Sequence, residues 1–148
     1  MNEQTFVIIK PDAITRKLIG KIISRFDDMG LYIEHIEKRL KNITWCQLHY
    51  AHIYLAQNAG RYGKKDVCGL QERFMTELPT IGIILVGENA IERVKRMVGA
   101  THCPNAIPGT IRGDWGIHSG CCNLIHASEF KREVNKEIEL YFDKETDQ

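Results

Sequence analysis

The stretch TFVIIK, residues 5–10, is the part of the sequence that most constrains the fold. Its residues are mostly β-branched or apolar, and the run ends in a lysine that Pro11 follows. A short apolar run bounded in this way predicts a buried strand. A second run, IGIILV at residues 81–86, predicts another strand. The fold is therefore expected to be built around a sheet.

Segments with helical spacing alternate with these strands. Leu18, Ile22, Phe26 and Met29 recur on one helical face, and Gly30 is a typical stop for such a helix. The other predicted elements are a strand over 31–40, a helix from a Thr44 cap to about residue 57, a helix over 67–78, a helix from an Asn89 cap with Glu92 as its reciprocal partner to residue 98, a strand over 123–126, and a helix from a Ser128 cap to about residue 140.

This order of elements predicts one α+β domain over residues 1–148. The expected architecture is a ferredoxin-like βαββαβ sandwich, in which helices pack on a four-stranded antiparallel sheet. The main alternative is a doubly wound parallel sheet, which requires tighter strand-to-helix turns than this chain offers. Residues 99–122 form a long loop that is rich in glycine and proline, and a loop of this length in a compact domain is usually functional or disordered. Its apolar residues argue against disorder.

Composition restricts the class of function. The formal net charge is +1, which gives no field for binding nucleic acid non-specifically, so no nucleic-acid partner is predicted. The apolar run near the N-terminus is too short for a signal peptide or a membrane span, so we expect no membrane association and a cytoplasmic location. The five cysteines are odd in number and irregularly spaced, which favours reduced thiols over a disulfide framework.

Two further patterns are weak on inspection. The segment GRYGKK at residues 60–65 lacks the spacing of a phosphate-binding loop and follows no apolar strand, so it is interpreted as a surface turn. Histidines and cysteines are frequent between residues 102 and 126, but the adjacent pair Cys121 and Cys122 is poorly placed to share one tetrahedral ion. No metal site is therefore predicted from these residues.

Polar residues at strand ends and in the long loop suggest an anion site. They are Lys10, Thr101, Thr110, Arg112 and Asn123. Arginine offers a planar fork for phosphate and lysine a point charge. Each residue alone is more often a solvated group, but together they predict a phosphate site.

His126 is the candidate reactive group next to that site. In a helix that begins near Ser128, Glu137 falls beside the apolar stripe, where an unpaired carboxylate is costly. A salt bridge to a surface lysine is one explanation. The other is a hydrogen bond to the His126 ring, which fixes its tautomer and raises its nucleophilicity.

Three motifs carry a family resemblance: IKPD at residues 9–12, GATHCPNAIPGTIRGD at 99–114 and NLIHAS at 123–128. Together they resemble the nucleoside diphosphate kinases, over residues 5–142. The resemblance implies that a nucleoside triphosphate gives its γ-phosphoryl group to a histidine, which passes it to a nucleoside diphosphate. It also implies Mg²⁺ that arrives with the nucleotide, and assembly into a homo-oligomer.

The resemblance assigns roles to individual residues. His126 is the nucleophile, Glu137 orients it and Ser128 supports the site. The remaining positions bind nucleotide: Lys10, Thr101 and Arg112 hold phosphates, Asn123 contacts sugar and phosphate, and Tyr50 is an active-site tyrosine.

Two departures from the family pattern concern nucleotide binding. Lys95, with Arg96 beside it, stands where the family usually has an arginine, and either could contact phosphate. The chain between residues 50 and 75 is longer than usual, so the aromatic that covers the base is not assigned; Tyr62 and Phe74 are candidates. The alternative function is a nucleotide- or RNA-binding ferredoxin-like module without transfer activity, which would need aromatics on the sheet face in an RNP pattern, and the strands show no such pattern.

Overall fold

The computed structural model describes residues 2–118 and 120–148 and contains one four-stranded sheet. Its strands are β1 (Asn2–Ile9), β2 (Tyr32–Arg39), β3 (Thr80–Glu88) and β4 (Ile125–Ala127). They lie in the order β2-β3-β1-β4, and every neighbouring pair is antiparallel. The ferredoxin-like α+β prediction is confirmed, and the parallel alternative is wrong.

Helices lie on both faces of the sheet. They are α1 (Pro11–Thr15), α2 (Ile19–Asp28), α3 (Ile43–His49), α4 (Ala51–Asn58), α5 (Val67–Thr76), α6 (Ala90–Val98), α7 (Ile111–Trp115) and α8 (Lys131–Phe142), with 3₁₀ turns at Cys103–Asn105 and Lys144–Thr146. Among the described residues, no helix is both long and apolar enough to cross a membrane.

The central position of β1 in the sheet explains why its sequence is almost continuously apolar. Val7 and Ile9 face a core that α2 and α6 complete, whereas Phe6 and Ile8 face a second core formed with α3, α5 and α8. All four side chains are fully buried. A strand covered on both faces has no solvated side, so the usual polar alternation disappears.

The helix predicted from Thr44 to about residue 57 is two helices. The cap is Asn42, whose side chain accepts the Trp45 amide at 3.0 Å, and Thr44 is exposed. The chain leaves the helical conformation at Tyr50 and then starts α4. This break turns the Tyr50 ring into the second core, and the pattern of apolar residues did not reveal it.

The second predicted cap, Asn89, does occupy the N-cap position of α6, but the predicted reciprocal bonds with Glu92 are absent. Asn89 is left-handed, with φ of 50°, and its side chain makes no cap bond; its supposed partner Glu92 pairs with Arg96 instead. The Ile91 amide near the start of α6 donates instead to the side chain of Glu3, in β1, at 3.0 Å.

The third predicted cap, Ser128, lies before α8 rather than at its cap position. Phe130 is the capping residue, and it has no side-chain cap bond. The Ser128 hydroxyl instead donates to Glu137 at 2.8 Å, and its oxygen lies 3.3 Å from the Phe6 carbonyl oxygen. Ser128 therefore serves the candidate site.

Candidate active site

The sheet register brings the candidate nucleophile to the end of β1. His126 in β4 pairs with Ile8, two residues before Lys10. Leu124, just before β4, has φ of 76°, and its carbonyl accepts the Lys10 amide at 2.9 Å. This tight connection comes immediately before β4 and places His126 and Lys10 at the same end of the sheet.

His126 and Glu137 are paired, although they come from β4 and α8. The ring Nε2 lies 2.8 Å from Glu137 Oε2, and Ser128 Oγ donates to the same oxygen at 2.8 Å. A carboxylate accepts a proton, so this pairing places the ring proton on Nε2 and leaves the lone pair on Nδ1. The side chains of the pair are 22% and 15% exposed, so the ring remains accessible.

His49 lies against His126, and sequence reasoning missed it. The two ring centroids are 4.6 Å apart with the ring planes at 79°, and Trp45 stacks on the His49 ring at a centroid distance of 4.9 Å. Both nitrogens of His49 are buried without a hydrogen-bond partner among the described residues. Burial, and then the nearby His126 and Lys10, hold the pKa of His49 well below its usual value. His49 is therefore a neutral neighbour, and only its position before the singled-out Tyr50 could have suggested it.

The grouping of His49, His126 and Glu137 also has the composition of a metal site. Their potential ligand atoms lie within 4.8 Å of one another, and it is the one such group found among residues 2–118 and 120–148. However, His126 and Glu137 are already bonded to each other. The histidines and cysteines between residues 102 and 126 form no second group of this kind in that part of the chain.

Lys10 is a buried cation aimed at the loop before β4. Its ammonium donates to Asn123 Oδ1 at 2.9 Å and to the Cys121 carbonyl at 3.2 Å, and it lies 5.9 Å from the Tyr50 ring centroid. Burial, and then the charge of Arg112, lower the pKa of Lys10 to about 8. The folded protein therefore holds this charge at a cost that an anion would offset.

Arg112, from the short helix α7, is the second buried cation. Its guanidinium donates to the carbonyls of Asn123 (3.1 Å), Gly99 (3.1 Å) and Ile125 (2.5 Å). Neither Arg112 nor Lys10 has a carboxylate ion pair among the described residues. Both cations bind Asn123, so the two positive charges converge on one residue.

The loop around α7 folds as its sequence allows. Thr110 accepts the Gly113 amide at 3.0 Å and donates to the Ile107 carbonyl at 2.7 Å, so its hydroxyl is occupied within the loop. A Cβ on Gly113 would lie 1.9 Å from that same carbonyl oxygen, so a larger residue cannot occupy this turn. Thr110 is therefore a cap, rather than the phosphate contact that its position suggested.

The side chains of the other candidate residues lie outside this cluster of hydrogen bonds. Thr101 is exposed, and its carbonyl accepts the Asn123 side-chain amide at 3.0 Å. Lys95 is exposed, with its ammonium 5.4 Å from the Phe130 ring centroid, and Arg96 is bound to Glu92 at the surface. Lys95 and Arg96 line a cavity of about 820 Å³ between α6 and the loop around residue 107.

The two candidates for the base-covering aromatic have different surroundings. Phe74 packs against the second core from α5, whereas Tyr62 is half-buried in the turns between α4 and α5. Neither ring is in aromatic contact with His126 in the described part of the chain.

Comparison with known proteins agrees with the geometry. Residues 3–146 match the family model described as nucleoside diphosphate kinase. A nucleoside diphosphate kinase from Pyrococcus abyssi is 39% identical over 95% of this chain and 84% of its own length. One from Methanocaldococcus jannaschii is 41% identical, covering 96% of this chain and 94% of its own.

Two solved structures have a similar fold. A nucleoside diphosphate kinase from Borrelia burgdorferi, a transition-state mimic with vanadate and ADP, superposes with a TM-score of 0.82 at 29% identity, over 99% of this chain and 90% of its own. One from Halobacterium salinarum in complex with CDP has a TM-score of 0.82 at 33% identity, over 100% of this chain and 92% of its own.

Proposed function

This chain belongs to the nucleoside diphosphate kinase family, and from that premise we propose that His126 carries the phosphoryl group as a covalent intermediate. The overall reaction is phosphotransfer from a nucleoside triphosphate to a nucleoside diphosphate. We propose further that residues 1–148 act as one catalytic domain. The observation that carries the assignment is the 2.8 Å bond between His126 Nε2 and Glu137, which leaves Nδ1 free to react.

The chemistry follows from that pairing. Nδ1 of His126 attacks the γ-phosphorus, the N–P bond forms, and the bond to the bridging oxygen breaks as the nucleoside diphosphate leaves. The ring becomes positive during the attack, and Glu137, as acceptor of the Nε2 proton, stabilises that charge. Ser128 donates to the same carboxylate oxygen and so fixes its position. In the second half of the cycle an oxygen of another nucleoside diphosphate takes the phosphoryl group.

The phosphates are bound by the buried cations in this proposal. Lys10 and Arg112 neutralise the charge that phosphoryl transfer spreads over the oxygens, and Asn123, which both contact, contributes its amide. The Tyr50 ring lies beside the Lys10 ammonium and so adjoins these phosphate-binding groups. Thr101 and Lys95 would complete the site from the loop and from α6, where both side chains are exposed and free to turn.

The donor chemistry of the site fits a Mg²⁺ ion that enters with the nucleotide. Mg²⁺ prefers oxygen ligands, and the residues that converge here are two cations and an amide rather than a carboxylate cluster. The phosphate oxygens would therefore hold the ion, which would neutralise part of their charge. The protein's own residues then orient the phosphates against His126.

An RNA-binding module without transfer activity is the less suitable explanation. Such a module stacks bases on aromatic side chains of an open sheet face. Both faces of this sheet are covered, by α2 and α6 on one side and by α3, α5 and α8 on the other.

Assembly and location are also proposed. The strand β2 lies at an edge of the sheet and exposes Tyr32 (72%) and Ile36 (43%), which supports pairing with a second copy in a homo-oligomer. All five cysteines are free thiols, which supports a reducing compartment such as the cytoplasm.

Incubation with γ-labelled ATP tests the covalent intermediate. The purified chain should take up label in a form that acid removes and base preserves, as expected for phosphohistidine. A nucleoside diphosphate added afterwards should remove the label and appear as triphosphate. In steady-state kinetics, double-reciprocal plots of rate against one substrate at several concentrations of the other should give parallel lines. Transfer without a labelled protein would contradict the covalent route.

Nucleotide binding should weaken above pH 8, because Lys10 loses its proton there. The pKa of Lys10 is lowered to about 8 in the folded chain, and bound phosphate holds the proton on it. We expect the dissociation constant of ADP, measured by calorimetry, to rise up to about tenfold per pH unit above that value. In Lys10→Arg this rise should be absent, since arginine stays charged. A flat profile in the wild-type chain would contradict the role of Lys10.

A further inference from the structure

Cys121 and Cys122 differ from the other cysteines of the chain. Both are half-buried, whereas Cys46, Cys68 and Cys103 are buried. Their sulfur atoms lie 3.8 Å apart, and the phosphotransfer chemistry gives neither thiol a role. They therefore form a vicinal dithiol beside the candidate phosphate site.

The peptide that joins the two cysteines belongs to that phosphate site. Its carbonyl is the Cys121 oxygen that accepts the Lys10 ammonium at 3.2 Å. The next residue, Asn123, binds the same ammonium at 2.9 Å. Leu124 then adopts a left-handed conformation, with its amide bound by Asp12 at 3.1 Å. The segment is anchored on its C-terminal side, so a rotation of the peptide at Cys121 is not easily absorbed there.

We propose that Cys121 and Cys122 are an oxidation site, at which a peroxide converts the two thiols into a vicinal disulfide that weakens phosphate binding at Lys10. One sulfur attacks a peroxide oxygen, the O–O bond breaks, and a sulfenic acid and water form. The second sulfur attacks the first and displaces its oxygen as water. Two thiols and one hydrogen peroxide thus give one disulfide and two water molecules. The inference rests on the proposed function, because it concerns the regulation of the same site.

Ring closure must move the joining peptide. The sulfurs have to approach from 3.8 Å to about 2.05 Å. Consecutive Cα atoms are about 3.8 Å apart, which is shorter than the span of about 4.4–6.8 Å in ordinary disulfides. The peptide therefore rotates, and its carbonyl leaves the Lys10 ammonium. A disulfide strained in this way is also easily reduced, which makes the modification reversible.

The test compares reduced and peroxide-treated full-length chain. After hydrogen peroxide, the peptide that contains both cysteines should lose the mass of two hydrogen atoms. Calorimetry should show ADP binding weakened about tenfold, the factor expected when a hydrogen bond of a charged group is lost. Dithiothreitol should restore both values. A chain that forms no disulfide, or forms one without a change in ADP binding, overturns the proposal.

Two serine variants separate this pair from the other thiols. Cys122→Ser should bind ADP as the reduced wild type does and should keep that affinity after peroxide. Cys68→Ser removes a buried thiol of α5 and should remain as sensitive as the wild type. Equal loss in Cys122→Ser would overturn the proposal. ADP binding needs no phosphoryl transfer, so a redox-dependent affinity in a chain that takes up no label would contradict the proposed function alone.

Discussion

Replacement of His126 by alanine is expected to lower the rate of phosphoryl transfer by roughly a millionfold, the scale of loss when an enzyme loses its covalent nucleophile. The reason is geometric, since the 2.8 Å pairing with Glu137 leaves one ring nitrogen available and alanine provides none. The measurements are the turnover of ATP with a nucleoside diphosphate and the label retained from γ-labelled ATP. Both should fall to background.

The fold should survive this change. The His126 side chain is 22% exposed and Ser128 still donates to Glu137 after its removal, so the carboxylate keeps a partner. Urea unfolding of the variant should therefore stay close to that of the wild type, and ADP should still bind. His35→Ala, which removes a histidine from the edge strand β2, is the matched control and should keep full activity. Label retained by the His126 variant would place the nucleophile elsewhere, and His49 would be the first candidate.

The sequence predicted the sheet because β1 and β3 are buried strands, and buried strands have nearly continuous apolar sequences. A run such as residues 5–10 has few structures available to it, and its place at the centre of the sheet agrees with its composition. The helix caps were predicted less well. Asn89 and Ser128 each have a side chain that can cap a helix, but tertiary partners decide how it is used. Glu3 from β1 binds the start of α6, and Glu137 takes the Ser128 hydroxyl.

The candidate site, too, could be predicted from the sequence only in part. Periodicity suggested that Glu137 needed a partner, and the structure supplies His126. The contact between His49 and His126 joins the end of α3 to β4, and no local pattern indicated it. Contacts across elements that are distant in sequence need the register and the packing angles, which only the folded chain provides. The family motifs did place distant residues in one site, because the resemblance assigns each of them a role in the same reaction.

Arg112→Ala should cause the second large loss, and it should affect both folding and activity. The guanidinium joins the end of α6, the loop before β4 and β4 itself through the carbonyls of Gly99, Asn123 and Ile125. Three carbonyls would lose a charged donor. The loss is partly offset, because the variant no longer pays the desolvation cost of burying the guanidinium, the same burial that lowers the pKa of Arg112. We expect a net loss of about 2–4 kcal/mol in the free energy of unfolding, measured with urea.

The same variant should lower kcat/KM by about 10²–10³-fold, because a preorganised donor to the transferring phosphoryl group is removed. Arg112→Met distinguishes the two effects, since it keeps the packing of the aliphatic stem but not the charge or the hydrogen bonds. Arg112→Lys keeps the charge without the planar fork and should recover part of the activity but little of the stability. Arg73→Ala, on the exposed side of α5, should change unfolding by less than about 0.5 kcal/mol. If Arg112→Met kept the wild-type kcat/KM, the guanidinium would be a structural brace between three segments and the phosphate charge would be met by Lys10 without it.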